Sequence, residues 1–281
     1  MRSRELESGS YCPPFMLYEG PRMLRNLREL YQYRGLLLSL TQRELKARYR
    51  NSVLGFLWTF LNPMLQMAVY TLLFSVYMRQ NLEAYTFFVF VGLLPWICFS
   101  SSLSAGASSI SDRRDLLTKV RFPAQVLPAT VVVTNLVNYL LSLPLMLVLG
   151  MFFGRWPTWH IVAFPVVLLI QSCVTLALAY LLSALNVFFR DLQQIVTNLL
   201  TLWFFVTPVF YQSLTIPGHL RSIVVLLNPM AVMITSYQAI FYEQRLPDAG
   251  PLLLWLTIAL MLLMFASVLF ERRREEFAEF V

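Results

Sequence analysis

The chain has 281 residues, of which 58% are hydrophobic, 15% aromatic and 13% charged. Soluble domains sit near about 45–50% apolar and about 25% charged. A water-soluble globule is therefore excluded, and a polytopic, all-α membrane protein is implied. The net charge of +7 reads as the positive-inside bias of such a protein, not as a nucleic-acid surface.

Residues 1–33 are polar, mixed in charge and without the apolar core of a signal peptide. They read as a cytoplasmic tail with a short helix near residues 22–31. In residues 34–52, Leu38, Leu45 and Tyr49 recur on one helical face, with Leu37 and Leu40 beside them. Arg43, Lys46 and Arg50 recur on another. That pattern predicts an amphipathic helix in the membrane interface, with basic groups toward lipid headgroups. A solvated helix capping the first span is the alternative.

Seven long uncharged stretches follow, at 53–78, 84–111, 124–154, 156–189, 192–220, 222–242 and 249–270. Each is long enough to cross a hydrocarbon core of about 30 Å. The Lys and Arg distribution decides how many cross. With the N-terminus inside and 222–242 not crossing, 18 of the 22 Lys and Arg residues fall on one side. Asn228-Pro229 also interrupts that stretch, because Pro lacks an N–H and disfavours helix at the residue before it. Residues 213–248 are therefore expected to form a re-entrant helical pair. Six spans are predicted, at 54–78, 85–111, 124–153, 160–188, 192–212 and 250–270, within a membrane domain at 53–270. Both termini, including the tail at 271–281, lie in the cytoplasm.

No Asp, Glu, Lys or Arg occupies the centre of these spans. Such a charge costs about 2.5–3.5 kcal/mol on insertion scales and marks ion pathways or intramembrane catalysis when present. The chain has no H-E-x-x-H, no G-x-S-x-G and no P-loop. No catalytic residue and no metal site is expected: Cys12, Cys98 and Cys173 are far apart, and His160 and His219 are isolated. Uphill transport would need a partner to supply the energy.

The first span carries Gly55, Thr59, Asn62, Gln66 and Tyr70 at steps of three and four, with Pro63 loosening the helix. The fifth carries Gln194, Asn198, Thr201, Phe205 and Pro208 on one face. Polar stripes in lipid face protein or water, so these are either pathway lining or helix–helix glue. Aromatic residues are dense beside them, including Phe56, Trp58, Trp203 and Tyr211. Many suit the interfacial belts; the rest suit stacking on sugar rings. The loop at 112–122 places Leu116, Leu117 and Val120 among Arg113, Arg114, Lys119 and Arg121, behind a helix-capping Asp112. A short amphipathic helix there is a docking knob.

Four segments then carry a resemblance: RELKARYRNSVLGFLWTFLNPMLQMAVYTLLFS (43–75), KVRFPAQVLPA (119–129), ALNVFFRDL (184–192) and LNPMAVMITSY (227–237). Their order and spacing resemble the type 2 ABC exporter permeases that move polysaccharides. The resemblance implies a homodimer with a second copy of the chain and two separate P-loop ATPase subunits. ATP and Mg would sit on those partners, and this chain would carry no cofactor. The implied cargo is a lipid-linked polymer, either a glycan such as O-antigen or a teichoic acid. It implies an interface helix at the lipid entrance with Arg34, Arg43, Lys46, Arg48 and Arg50 near the headgroup. Residues 112–122, with Asp112, Arg113, Arg114, Leu116, Leu117, Lys119 and Arg121, match the coupling helix to the ATPase. Arg190 and Asp191 match a cytoplasmic turn. Asn228, Pro229 and Tyr237 fall in an outer gate. Phe56, Thr59, Asn62, Gln66, Tyr70, Asn198, Thr201, Phe205 and Tyr211 are expected to line the channel. Many members carry Arg after Tyr237; this chain has Gln238. A small-molecule exporter and a membrane enzyme acting on lipid-linked sugars are the rival readings.

Overall fold

The structure, a computed structural model, describes residues 31–50, 53–77, 82–113, 122–189, 191–213, 217 and 224–272. These are all-helical, without strands. Helix α1 (Arg34–Tyr49) precedes a 3-10 turn (Gly55–Leu57) that leads into α2 (Trp58–Thr71) and its π-helical extension (Leu72–Tyr77). Helix α3 (Tyr85–Ser108) is followed by a 3-10 turn (Ser111–Arg113), then α4 (Val126–Phe152). A 3-10 turn (Trp159–Ala163) opens α5 (Phe164–Phe188). Helices α6 (Leu192–Val206), α7 (Pro229–Phe241) and α8 (Ala249–Arg272) complete the described elements.

Five helical runs are long and apolar enough to cross a membrane: Gly55–Ser75, Tyr85–Ser108, Val126–Phe152, Trp159–Phe188 and Ala249–Phe270. Helix α6, expected as a span over 192–212, has 15 residues, a rise of about 22 Å. Thr207 turns extended at ψ 135°, as the residue before a proline prefers. The chain then runs irregularly through residue 211.

Helix α3 is the hub and packs against α2, α4, α5, α6 and α7. Its first half, from Tyr85 to Trp96, is apolar nearly all round, with Phe87, Phe88, Val89, Phe90 and Val91 all buried. A helix of that kind belongs in an interior. By contrast, only 11% of the α2 span is buried, against 78% of α3. Close packing relies on small residues. A Cβ on Gly106 would stand 3.2 Å from Ala179 Cβ of α5. Helix α8 lies on α5, where Ala177, Tyr180 and Ala184 meet Leu263, Ala266 and Phe270.

Helix α1 docks on the start of α4 through Leu36, Leu37 and Leu40, which pack on Phe122, Val126 and Leu127. Leu38, on the expected apolar face, is 55% exposed. The packed face is set by contact with α4.

Asn228-Pro229 is a helix start. Residues 224–227 make a helical turn, and α7 begins at Pro229. The Asn228 side chain accepts from Met230 N at 3.0 Å and Ala231 N at 3.2 Å, an N-cap with Pro at the first position. All of α7 except Thr235 is buried. With 13 residues it rises about 20 Å, too little to cross.

Candidate functional site

A cavity of about 930 Å³ lies among α1, α2, α3, α4 and α6. A second, of about 450 Å³, adjoins it between α2 and α4 and shares Arg48, Gln66, Ile97, Ser101 and Asn135 with it. On α3 the wall is a strip of Ser100, Ser104 and Ser108, one helical turn apart. On α6 the facing strip is Gln193, Thr197 and Thr201, at the same spacing. The strips touch where Ser104 Oγ and Thr197 Oγ1 stand 3.1 Å apart.

The hydroxyl protons of these strips are largely committed to helix carbonyls. Thr197 donates to Gln193 O at 2.9 Å, and Thr201 donates to Thr197 O at 3.1 Å. With its proton so placed, Thr197 is left to accept from Ser104. The α6 wall offers the cavity the hydroxyl lone pairs of Thr197 and Thr201 and the side-chain amide of Gln193.

Toward the N-terminal half of α3 the lining turns aromatic. Tyr70 and Phe204 lie 5.3 Å apart, and Trp96 and Phe204 5.5 Å apart. Behind them Phe210 stacks on Phe74 at 4.4 Å.

The opposite end is ionic. Glu44 of α1 pairs with Arg113, just beyond α3, and accepts from Thr134 Oγ1 of α4 at 3.0 Å. Arg48 reaches Asn135 Oδ1 at 3.5 Å. Asp112 completes the charged lining. Burial, and then the nearby Arg43 charge, pull the Arg113 guanidinium below its ordinary value; Glu44 is its ion-pair partner.

The sequence-predicted lining residues fall into three groups. Gln66 and Tyr70 line the larger cavity, as does Thr201, while Thr59 and Asn62 line the smaller. Asn198 and Phe205 are exposed on other sides of α6 and line neither cavity. Phe56 is 44% exposed and packs edge-on against Phe60. Tyr211 donates to Val206 O at 2.8 Å. Of the basic residues on α1, Arg48 faces the cavities while Arg34, Arg43, Lys46 and Arg50 are exposed. Arg34 stacks over Tyr31. Arg114, Leu116, Leu117, Lys119, Arg121 and Arg190 lie outside the described residues; Asp191 is exposed at the start of α6.

Asn228, Pro229 and Tyr237 are buried, and Asn228 belongs to a polar clamp on the irregular segment after α6. Asn228 Oδ1 also accepts from Trp203 Nε1 at 2.9 Å, and its Nδ2 donates to Thr207 Oγ1 at 3.0 Å. Gln238 Nε2 donates to Pro208 O at 3.1 Å, and Tyr85 OH to Phe210 O at 2.7 Å. Tyr237 OH donates to Gln171 Oε1 at 2.8 Å, and Gln171 Nε2 donates to Pro95 O at 2.9 Å. Non-helical backbone within a membrane protein persists where protein satisfies it in this way.

The far end carries a second tie. Helix α4 closes with Gly154 at φ 76°, and Arg155 N returns to Gly150 O at 2.8 Å, a Schellman ending. That turn sets Arg155 over the Tyr242 ring at 4.8 Å and 3.7 Å from Glu83. Burial raises the Tyr242 hydroxyl above its ordinary value, and it donates to Glu83 O at 2.6 Å.

Ser104, Gln193, Thr197, Trp96 and Phe204 line the cavity without having been singled out as lining from the sequence. The signal was present: Ser100, Ser104 and Ser108 share one spacing, as do Gln193, Thr197 and Thr201. Among the described residues no three His, Cys, Asp or Glu side chains gather as a metal site would require.

Comparison with known proteins bears on this arrangement. The family model for the ABC-2 type transporter matches residues 35–242. The chain is 69% identical over 258 residues to the O-antigen export system permease protein RfbA of Myxococcus xanthus, covering 92% of this chain and 99% of that one. It is 31% identical over 262 residues to a protein of the same name from Klebsiella pneumoniae, covering 92% and 98%. It is 22% identical over 244 residues to the polysialic acid transport protein KpsM of Escherichia coli, covering 85% and 93%.

Proposed function

This chain belongs to the ABC-2 type transporter family, and from that premise we propose that it is the membrane-spanning subunit of an ATP-driven exporter carrying a lipid-linked polysaccharide to the outer face of the membrane. It is a multi-pass protein of the bacterial inner membrane. Relatives named for O-antigen export and for polysialic acid transport support a polysaccharide as cargo.

The observation that carries the reading is the cavity. Its walls are hydroxyl and amide strips at one end and aromatic rings at the other, and its charges gather at the α1 end alone. Hydroxyls and amides exchange hydrogen bonds with sugar hydroxyls, and ring faces pack on the C–H side of a sugar. Neither holds a chain tightly, so a polymer can slide.

The working complex is two copies of this chain over two P-loop ATPase subunits. Helices α2 and α6 carry exposed apolar faces, with Leu65, Val69, Leu199 and Leu202 outward, which suits contact with a second copy. Six spans with both termini cytoplasmic, α6 and its irregular extension making the fifth, agree with the placement of Lys and Arg. Arg34, Arg43, Lys46 and Arg50 then face the inner-leaflet headgroups, and residues 112–122 meet the ATPase. The elements between 213 and 248 form the outer gate.

Deletion of the gene tests this directly. The expected result is loss of surface polysaccharide with lipid-linked polymer accumulating inside, reversed by the intact chain. Unchanged surface polysaccharide would sink the reading.

A further inference from the structure

The cavity walls state what kind of polymer they suit. We infer that the conduit selects an uncharged glycan and disfavours a polyanion, whether phosphate- or carboxylate-bearing; this rests on the reading that the cavity carries a glycan.

The inference follows from donors and acceptors. Thr197 and Thr201 spend their protons on Gln193 O and Thr197 O. Ser104, 3.1 Å from Thr197, spends its own on that hydroxyl. Ser100 reaches Ile97 O at 3.4 Å. The hydroxyls of Thr197, Thr201 and Ser104 therefore present lone pairs to the cavity, and Gln193 adds an uncharged amide. A sugar hydroxyl brings a proton and completes a hydrogen bond there. An ionised phosphate or carboxylate oxygen is acceptor-only and meets acceptors at those hydroxyls, and the neutral Gln193 amide gives it no counter-charge.

Charge acts in the same direction. The cations among the cavity-lining residues are Arg48 and Arg113, both at the α1 end. Arg113 is committed to Glu44, and Asp112 adds a second negative charge beside it. Beyond that end the described lining residues include Ser, Thr, Gln, Tyr, Trp and Phe and no cation. An anion drawn past the mouth loses water without gaining a counter-charge. A polymer with one negative group per repeat meets that cost at every repeat. A single charged headgroup at the lipid end need never leave the basic side chains of α1.

The full-length chain in lipid nanodiscs tests this with two radiolabelled probes at low salt: a neutral mannose hexamer and an α2,8-linked sialic acid hexamer. The neutral hexamer should bind at least about tenfold more tightly, a ratio readable from two dissociation constants. Ser104→Lys and, separately, Thr201→Lys should narrow or reverse that ratio by adding a cation to the strip. The two sites on different helices keep the test open if one variant fails to fold. Equal or tighter binding of the sialic acid hexamer by the unaltered chain overturns the charge selection while leaving the glycan reading standing. Folded lysine variants with an unchanged ratio would remove the selection from these strips. Binding of neither hexamer removes the glycan reading itself, and the inference with it.

Discussion

Gln238 of α7 donates its side-chain amide to the carbonyl oxygen of Pro208, 3.1 Å away and thirty residues earlier. Gln238 is 3% exposed, so no solvent replaces it. The bond ties a buried helix to the segment where α6 ends.

Gln238→Leu leaves Pro208 O without this partner in the interior. The expected loss is about 1–3 kcal/mol of stability. Thermal unfolding of the purified chain, followed by tryptophan fluorescence, measures it. An unchanged midpoint would show that another group takes over the carbonyl.

Asn228→Ala removes an N-cap, worth about 0.5–2 kcal/mol, and also strands the Trp203 indole N–H and loosens Thr207. The expected destabilisation exceeds that of the cap alone. Asn228→Asp keeps an acceptor for Met230 N, Ala231 N and Trp203 and loses only the donation to Thr207, so it should fall between wild type and alanine. The order of the three midpoints checks the assignment.

The Glu44–Arg113 pair joins α1 to the end of α3, with both side chains 23% exposed. Glu44→Ala and Arg113→Ala should each destabilise, and the double variant should cost less than the sum. A coupling of about 1 kcal/mol or more is expected, toward the upper end for exposed pairs, because this one is half-buried. A double-mutant cycle by chemical unfolding reads it; strict additivity would show that the pair contributes nothing.

Gly92→Ala would set a Cβ 3.1 Å from Val209 O and 3.2 Å from Ile234 Cγ2. Both neighbours belong to packed elements, so a loss of about 1–3 kcal/mol is expected. Gly35→Ala in α1 has no neighbour within 4 Å and should leave stability equal or raise it by up to about 1 kcal/mol. The two variants measured side by side separate close packing from helix propensity.

The sequence marks polar helix faces, and the tertiary structure decides which of them meet a cavity. Thr59, Asn62, Gln66 and Tyr70 recur at helical steps on α2 and do face the cavities. On α6 the stripe read from the sequence, Gln194, Asn198, Thr201 and Phe205, shares only Thr201 with the one that lines the cavity, Gln193, Thr197 and Thr201. Gln193 stands beside Gln194 and Thr197 beside Asn198, each about 100° apart on the wheel, and both faces are polar in the sequence. Only the seating of Val196, Leu200 and Phe204 against α3 decides which stripe meets the serines. Leu38 illustrates the same limit on α1: the helix was legible, but its packed face depends on where α4 begins.

The sequence by itself determined that this chain lives in a membrane, roughly where its helices run, and that no charge crosses the middle of them. Those properties depend on local composition, since each apolar run transfers favourably into lipid on its own side chains, regardless of its neighbours. The tertiary structure alone decided which polar residues meet, that the end of α6 is clamped by Tyr85, Asn228 and Gln238, and that Glu44 finds Arg113. Those are pairings between distant segments, and they depend on how each helix is rotated and seated against the next.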